Sequence, residues 1–157
     1  MIRKVTTADI PAITAIYNHY ITDTTVTFEV DTLSERQMAD RIRDISSRYP
    51  YYVCEVDGCV AGYSYAHLWR ERAAYRHTLE VTVYLAPAYF RRGIGSRLMR
   101  RLIDDCKAAG YKVLIACITD GNVPSVAMHQ ALGFRKVSHF KGVGEKFGRT
   151  LDVVDLE

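Results

Sequence analysis

Six consecutive residues carry the sharpest chemical signal in the chain. Arg91-Arg92-Gly93-Ile94-Gly95-Ser96 follows a strand pattern that ends near Leu85 and opens a long amphipathic helix. Glycines at that point let backbone N–H groups approach a ligand closely. The helix N-terminus adds partial positive charge, and the arginines add full charge. Together these could cradle an anion such as a pyrophosphate. The spacing is neither GxGxxG nor GxxxxGK[ST], so it is not a dinucleotide fingerprint or a P-loop. On composition alone, a helix start with a solvated basic turn explains the segment equally well.

Other candidates are dispersed. Glu80 lies in a strand pattern where a carboxylate is not an obvious packing choice, although alternation puts Glu80, Thr82 and Tyr84 together on one face, which could equally point outward. Trp69-Arg70-Glu71-Arg72 follows a strand, where a loop can carry binding groups; Arg70 and Arg72 have the planar fork that matches a carboxylate or phosphinate. Arg76 and His77 are nearby alternatives. Ser125 and His129 are one helical turn apart, and a histidine can relay protons near neutral pH. A lone histidine is more commonly satisfied by a backbone carbonyl. Phe28 and Tyr75 offer aromatic walls, with core packing the simpler role for Phe28. His19, His67, His77 and His139 show no grouping with Asp, Glu or Cys, so no metal site is expected.

The elements that must position these residues follow from periodicity. Ile2–Val5 reads as a first strand. Thr7 or Asp9 caps a helix in which Ile10, Ile13, Ile16, Tyr17 and Tyr20 recur at helical spacing. Residues 21–31 read as an extended loop, and Ser34 with Gln37 forms a capping box for a polar helix reaching about Arg48. Tyr51–Val56, the Asp57-Gly58 turn and Cys59–Leu68 make a hairpin. Arg76–Leu85 is a strand stopped by Pro87. A helix over Gly93–Ala109 ends at Gly110, and Val113–Ile118 is a short apolar strand. Asn122 caps a helix that Gly133 terminates near Leu132. Arg135–Lys141 and Arg149–Asp155 pair around a Gly142–Gly148 turn region. Strands that meander early and alternate with helices late predict an α+β, mixed α/β sheet.

Composition bounds the rest. A chain of 157 residues is one domain's worth, and 48% apolar with 25% charged residues is ordinary for a globular protein. Its apolar runs are too short and too interrupted by charge for a membrane span, and the first residues lack the apolar stretch of a signal peptide. The net charge of +3 is far from the dense basic stripe of a nucleic-acid binder. The four cysteines show no CxxC pair, so buried free thiols in a reducing cytoplasm are expected.

With those residues in place, the sequence resembles the GNAT family of N-acetyltransferases. In that family a [QR]xxGxG/A segment binds the coenzyme A pyrophosphate. The matching window is Phe90-Arg91-Arg92-Gly93-Ile94-Gly95, with Phe in place of the first Gln or Arg. Asn122, Ser125 and Gly133-Phe134 match the next family element, with His129 where a tyrosine proton donor is common. Tyr17-Asn18-His19-Tyr20-Ile21, Glu55-Val56-Asp57-Gly58, Thr82-Val83-Tyr84, Pro124–His129 and Lys146-Phe147-Gly148 resemble the phosphinothricin and methionine sulfoximine acetyltransferase subgroup. The likeness runs from about Ile2 to Asp155. Thr150 stands where relatives commonly have tryptophan.

The resemblance implies a single N-acetyltransferase domain over residues 1–157, with a central, mostly antiparallel sheet flanked by helices. It implies acetyl-CoA as co-substrate, held by Val83, Tyr84, Leu85, Arg91, Arg92, Gly93, Ile94, Gly95, Ser96, Asn122 and Ser125. Glu80 becomes the general base and His129 a second acid–base group, because an ammonium must lose a proton before it can attack a thioester. Phe28, Trp69, Arg70, Arg72, Tyr75, Thr82 and Lys146 become the acceptor site, with Lys146 able to act across a homodimer interface. Acetylation of another small amine or of a peptide N-terminus, and a non-catalytic acyl-CoA sensor, remain the rival readings.

Overall fold

A computed structural model describes residues 1–157. The chain begins with β1 (Ile2–Lys4), α1 (Ile10–Asp23) and α2 (Glu35–Ser46). In α1 the buried Ile13, Ile16, Tyr17, Tyr20 and Ile21 share one face, and Pro11 sits in the first turn, where its missing N–H costs nothing. The capping box of α2 forms reciprocally: Gln37 N–H donates to Ser34 Oγ at 3.1 Å, and Ser34 N–H donates to Gln37 Oε1 at 2.9 Å. The hairpin of β2 (Tyr51–Val56) and β3 (Cys59–Leu68) turns on Asp57 (φ 50°) and Gly58 (φ 77°). Two positive φ values in succession suit a tight turn matched to the strand twist.

The second half comprises β4 (Thr78–Leu85), α3 (Ile94–Ala108), β5 (Val113–Thr119), α4 (Val123–Ala131), β6 (Lys136–Lys146) and β7 (Arg149–Leu156). The seven strands form one sheet in the order β1-β2-β3-β4-β5-β7-β6. Every pairing is antiparallel except β4 with β5, which is the mixed, mostly antiparallel architecture expected. Apolar layers cover both faces. On one, α3 buries Leu98, Met99, Leu102 and Cys106 against Leu79 and Val81. On the other, α1 and α2 cover Tyr51, Val53 and Tyr63.

The parallel contact is brief: Thr78, Leu79 and Glu80 pair with Val113, Leu114 and Ile115. From Ala116 onward β5 pairs instead with β7, while β4 continues beside β3 to Leu85. The two strands therefore diverge just after Glu80. A gap opens in the middle of the sheet.

Several boundaries differ from the sequence expectation. Residues 21–23 belong to α1, because Ile21 is buried in its apolar face; the extended segment starts at Thr24, whose hydroxyl donates to the Tyr20 carbonyl at 2.7 Å. β4 begins at Thr78 because a short turn occupies Ala73–Tyr75. β6 runs through the supposed turn region to Lys146, with an irregularity between Phe140 and Gly144, and the real turn is Phe147-Gly148. All four cysteines are free, but only Cys54 and Cys106 are buried; Cys59 opens β3 and Cys117 faces the gap.

At Gly62, β3 lies tight against β4. A Cβ there would sit 2.8 Å from the Tyr84 carbonyl oxygen, which is backbone and cannot swing away. Gly62→Ala is expected to destabilise the fold by about 1–3 kcal/mol, the usual cost of overpacking. Urea unfolding checks this as a lower midpoint at an unchanged m-value.

Candidate active site

Two hollows lie along the gap between β4 and β5 and share its walls as one cleft. One hollow, about 440 Å³, is bordered by Asn122, Ser125 and His129 on the α4 side. The other, about 680 Å³, is bordered by Phe28, Tyr65, His67 and Glu80. Val81, Thr82 and Tyr84 of β4 and Cys117, Ile118 and Thr119 of β5 wall both hollows. A ligand threaded along β4 would meet α4 groups at one end and Glu80 at the other.

The segment expected to cradle an anion sits at the start of α3. Arg91 (φ 62°) and Gly93 (φ 71°) are both left-handed, which bends the chain sharply into α3. Arg97 N–H is the first to find a helical carbonyl, that of Gly93 at 3.2 Å, and no side chain caps the helix. The N–H groups of Ile94, Gly95 and Ser96 therefore remain available for an anion. A Cβ on Gly93 would meet nothing within 4 Å, so backbone is open to a ligand there. Gly95 has a different role: a Cβ would come 3.0 Å from Met128 Sδ, so the glycine lets α3 approach α4. Arg92 stacks 5.2 Å from the Tyr89 ring centroid, which holds its guanidinium at the loop. These features fit a bound pyrophosphate.

The three β4 residues expected at the cofactor divide their tasks. Val83 and Tyr84 line the cleft beside α4. The Tyr84 ring also belongs to the aromatic layer with Tyr17, Tyr20 and Tyr63. The Leu85 carbonyl already accepts the Tyr20 hydroxyl at 2.5 Å. Asn122 caps α4, its Oδ1 accepting Ser125 N–H at 3.4 Å.

His129 is buried. Its Nδ1 lies 2.8 Å from the Ser125 carbonyl, which can only accept, so Nδ1 carries the proton. Nε2 is buried without a partner. Burial pushes the imidazole below its ordinary value of 6.5 and keeps it neutral, outweighing the Ser125 bond. His129 thus presents a lone pair at Nε2. Of the acid–base role expected of His129, the structure shows a neutral ring whose one proton is held at Nδ1 and whose Nε2 carries none.

Glu80 has a partner that the sequence reading missed. His67 lies directly opposite it in the β3–β4 ladder, with Nε2 2.7 Å from Glu80 Oε2 and Nδ1 2.9 Å from the Leu68 carbonyl. The Glu80 hydrogen bond is the largest influence raising the His67 pKa, ahead of the opposing effect of burial. The signal was the register of two strands joined by a long loop, which no local spacing reveals. His139 also breaks the expectation of isolated histidines. It bonds Asp152 at 2.8 Å and lies 3.8 Å from Asp120. Asp152 also accepts Gly142 N–H at 2.7 Å, and Lys136 Nζ sits 3.3 Å from His139 Nδ1, so the cluster ties β6 to β7.

The expected acceptor residues fall into two groups. Thr82 and Phe28 line the Glu80 hollow, and the Phe28 ring packs against Gly144. Trp69, Arg70, Arg72 and Tyr75 lie in the β3–β4 loop; Arg70, Arg72 and Tyr75 surround a separate recess, with Arg70 stacked 4.0 Å from the Trp69 ring centroid. Lys146 is buried, and its ammonium donates to the Thr27 carbonyl at 2.8 Å. Burial lowers its pKa. Lys146 therefore fastens the segment that roofs the cleft, and it is not a free turn lysine. Thr119 Oγ1 fastens the same segment by donating to the Thr25 carbonyl at 2.7 Å.

The neutrality of His129 has a consequence for stability. The unfolded imidazole takes up its proton near pH 6.5, whereas the folded one resists to lower pH. Below about pH 6.5 the unfolded state binds more protons, so this group makes stability fall as pH falls. His67 acts oppositely: its contribution is full below about pH 6.5 and fades as pH rises through its raised folded value. His129→Leu is therefore expected to flatten the loss of stability between pH 6.5 and 5. Urea midpoints of both proteins at each pH check it.

Comparison with known proteins places this geometry. The Acetyltransferase (GNAT) family model matches residues 13–134. The chain is similar to phosphinothricin N-acetyltransferase of Streptomyces viridochromogenes, 40% identical over 97% of this chain and 83% of the relative. It is similar to the L-methionine sulfoximine/L-methionine sulfone acetyltransferase of Salmonella typhimurium, 36% identical over 99% of this chain and 92% of the relative. Among solved structures, the phosphinothricin acetyltransferase of Sinorhizobium meliloti in complex with AcCoA superposes with a TM-score of 0.97 at 37% identity, covering 99% of this chain and 85% of the other. The family model covers more than half of the chain and these relatives match nearly all of it, so the chain belongs to the GNAT acetyltransferase family.

Proposed function

We propose that residues 1–157 act as a single N-acetyltransferase domain. In this reading it transfers acetyl from acetyl-CoA to the α-amine of phosphinothricin, methionine sulfoximine or a similar amino-acid analogue. The observation that carries this is the cleft of two hollows with shared walls, with an open helix N-terminus on one side of the sheet gap and Glu80 on the other. Relatives carrying both activities in their names, similar over nearly the whole chain, support the substrate class.

Acetyl-CoA supplies an acetyl group already activated as a thioester. The free N–H groups of Ile94–Ser96, with Arg91 and Arg92, hold its pyrophosphate. The edge of β4 at Val81–Val83, unpaired on the side where β5 departs, orients the pantetheine arm, and Asn122 and Ser125 close the far wall. Glu80 takes the proton that the acceptor ammonium must lose, and attack on the thioester is direct. Arg70 and Arg72 hold the acceptor carboxylate. Their loop leaves β3 just after His67 and returns to β4 two residues before Glu80, a connection that supports this role from a recess separate from the cleft. Phe28, Thr82, Trp69 and Tyr75 shape that end, and Lys146 acts indirectly, by holding the Thr27 carbonyl.

We further propose that the chain works as a homodimer in the cytoplasm. Its edge strand β6 exposes Val137, Phe140 and Val143, with Phe147 at the turn beyond, an apolar row that a second copy would cover. The four free cysteines suit a reducing compartment. No helix is long and apolar enough to cross a membrane.

Release of coenzyme A thiol from acetyl-CoA tests the reaction, with a panel of methionine sulfoximine, phosphinothricin, methionine, glutamate and spermidine. Turnover is expected with the first two; turnover confined to spermidine would overturn the acceptor class, and binding without consumption would leave a sensor. Glu80→Gln is expected to lower kcat by roughly 10²–10⁴ with the KM for acetyl-CoA little changed, whereas Arg92→Ala is expected to raise that KM. An unchanged kcat in the first variant would remove Glu80 from the chemistry. For the dimer, sedimentation velocity of Phe140→Lys is expected to show monomer where the parent shows dimer.

A further inference from the structure

His67 and Glu80 form the one titratable pair that lies inside the cleft, on its acceptor side. They project from register-paired positions of β3 and β4, so the ladder itself holds them face to face. Their side chains keep 33% and 27% of their exposure, which leaves both within reach of a ligand in the hollow.

We propose that the general base of this enzyme is the His67–Glu80 pair acting as a unit, competent only after losing the proton held between Nε2 and Oε2. The proposal rests on the acetyltransferase reading and specifies which atoms receive the amine's proton.

The hydrogen-bond geometry leaves the pair two forms. The Leu68 carbonyl can only accept, so His67 Nδ1, 2.9 Å away, keeps its hydrogen in both. With one more proton, Nε2–H donates to the carboxylate at 2.7 Å as an imidazolium–carboxylate pair. Without it, a lone pair on Nε2 faces a carboxylate oxygen at the same distance. That second form is electrostatically poor and takes up a proton readily, which is what a base must do. The raised His67 pKa agrees in direction. An ordinary carboxylate is a weak base toward an ammonium, whereas an imidazole whose charged form is favoured by the carboxylate opposite it is better matched at working pH.

The transfer balances within these atoms. One N–H bond of the acceptor ammonium breaks, and its electron pair stays on nitrogen as the nucleophile's lone pair. The proton comes to lie between Oε2 of Glu80 and Nε2 of His67. No other reagent is consumed.

The hydroxyl and thiol facing the pair are both shifted upward. Tyr65 on β3 has its hydroxyl pushed up by burial, and the Cys117 thiol on β5 is pushed up to about 12, chiefly by burial, with Asp155 of β7 beside it. Glu29 and Arg41, which act on Tyr65 from farther off, are bonded to one another. The pair therefore sets the lower limb of the rate profile, and the apparent value belongs to both residues.

The test combines the pH dependence of kcat/KM for the parent, His67→Gln and Glu80→Gln with a ¹⁵N NMR titration of the His67 ring in the free protein. In the parent, the ring is expected to titrate at Nε2 above pH 6.5, with Nδ1 protonated throughout, and kcat/KM to rise through the same value. Glu80→Gln should return the ring to about 6.5 or below. His67→Gln keeps a donor toward Glu80 but cannot share the proton; its limb should move down by about one pH unit or more and its plateau should fall roughly tenfold. Superimposable limbs in the parent and His67→Gln would overturn the pair as base while leaving the acetyltransferase reading intact. A His67 titration insensitive to Glu80→Gln would do the same, and it decides the matter even should His67→Gln fail to fold. Absence of parental turnover with every amine would remove the functional reading and this proposal together.

Discussion

The divergence of β4 from β5 is the constraint on which the rest of the structure depends. Three residue pairs hold the strands in parallel, and then β7 takes over as the partner of β5. A sheet split in its interior leaves backbone groups of β4 without a ladder partner, which is costly unless something else bonds them. The same edge is a ready receptor for an extended amide-containing ligand. Structural need and binding capacity are here one feature.

The split is kept open by polar fastening at its rim. Residues 24–31 cross over it as an extended strap, bonded through Thr25 to Thr119 of β5 and through Thr27 to Lys146 of β6 and Tyr17 of α1. Glu29 reaches the Tyr17 hydroxyl and pairs with Arg41 of α2. Burying the Lys146 ammonium is unfavourable in itself, and its bond to a carbonyl with Glu29 nearby offsets that. Four elements are thereby tied to one short strap, and Phe28, carried on it, lines the Glu80 hollow.

Two histidines, one at each hollow of the cleft, show how context divides one residue type into two roles. Burial dominates at His129 and makes it neutral, with a free lone pair; a carboxylate dominates at His67 and holds a proton there. Neither state follows from residue identity. Each follows from what the surrounding strands and helix bring within hydrogen-bond reach.

Much of this was legible in the residues themselves. Helical spacing in α1, the capping box of α2, the Asp57-Gly58 turn and the Gly93/Gly95 helix start are local patterns, read over a few residues. Their physics is complete within one element, so the sequence by itself determined the elements, the glycine-bounded start of α3 and, through its motifs, the family. The errors were also local in origin: the glycines of residues 142–148 signalled a turn, but pairing with β7 and the packing of Phe28 on Gly144 drew that stretch into β6. Only the tertiary structure decided which carboxylate meets which imidazole. The His67–Glu80 contact depends on the register of two strands separated by a long loop, and the strap over the cleft depends on Thr119 and Lys146 from far along the chain. Register and long-range closure are set by the summed packing of both sheet faces, and no short window of sequence contains that sum.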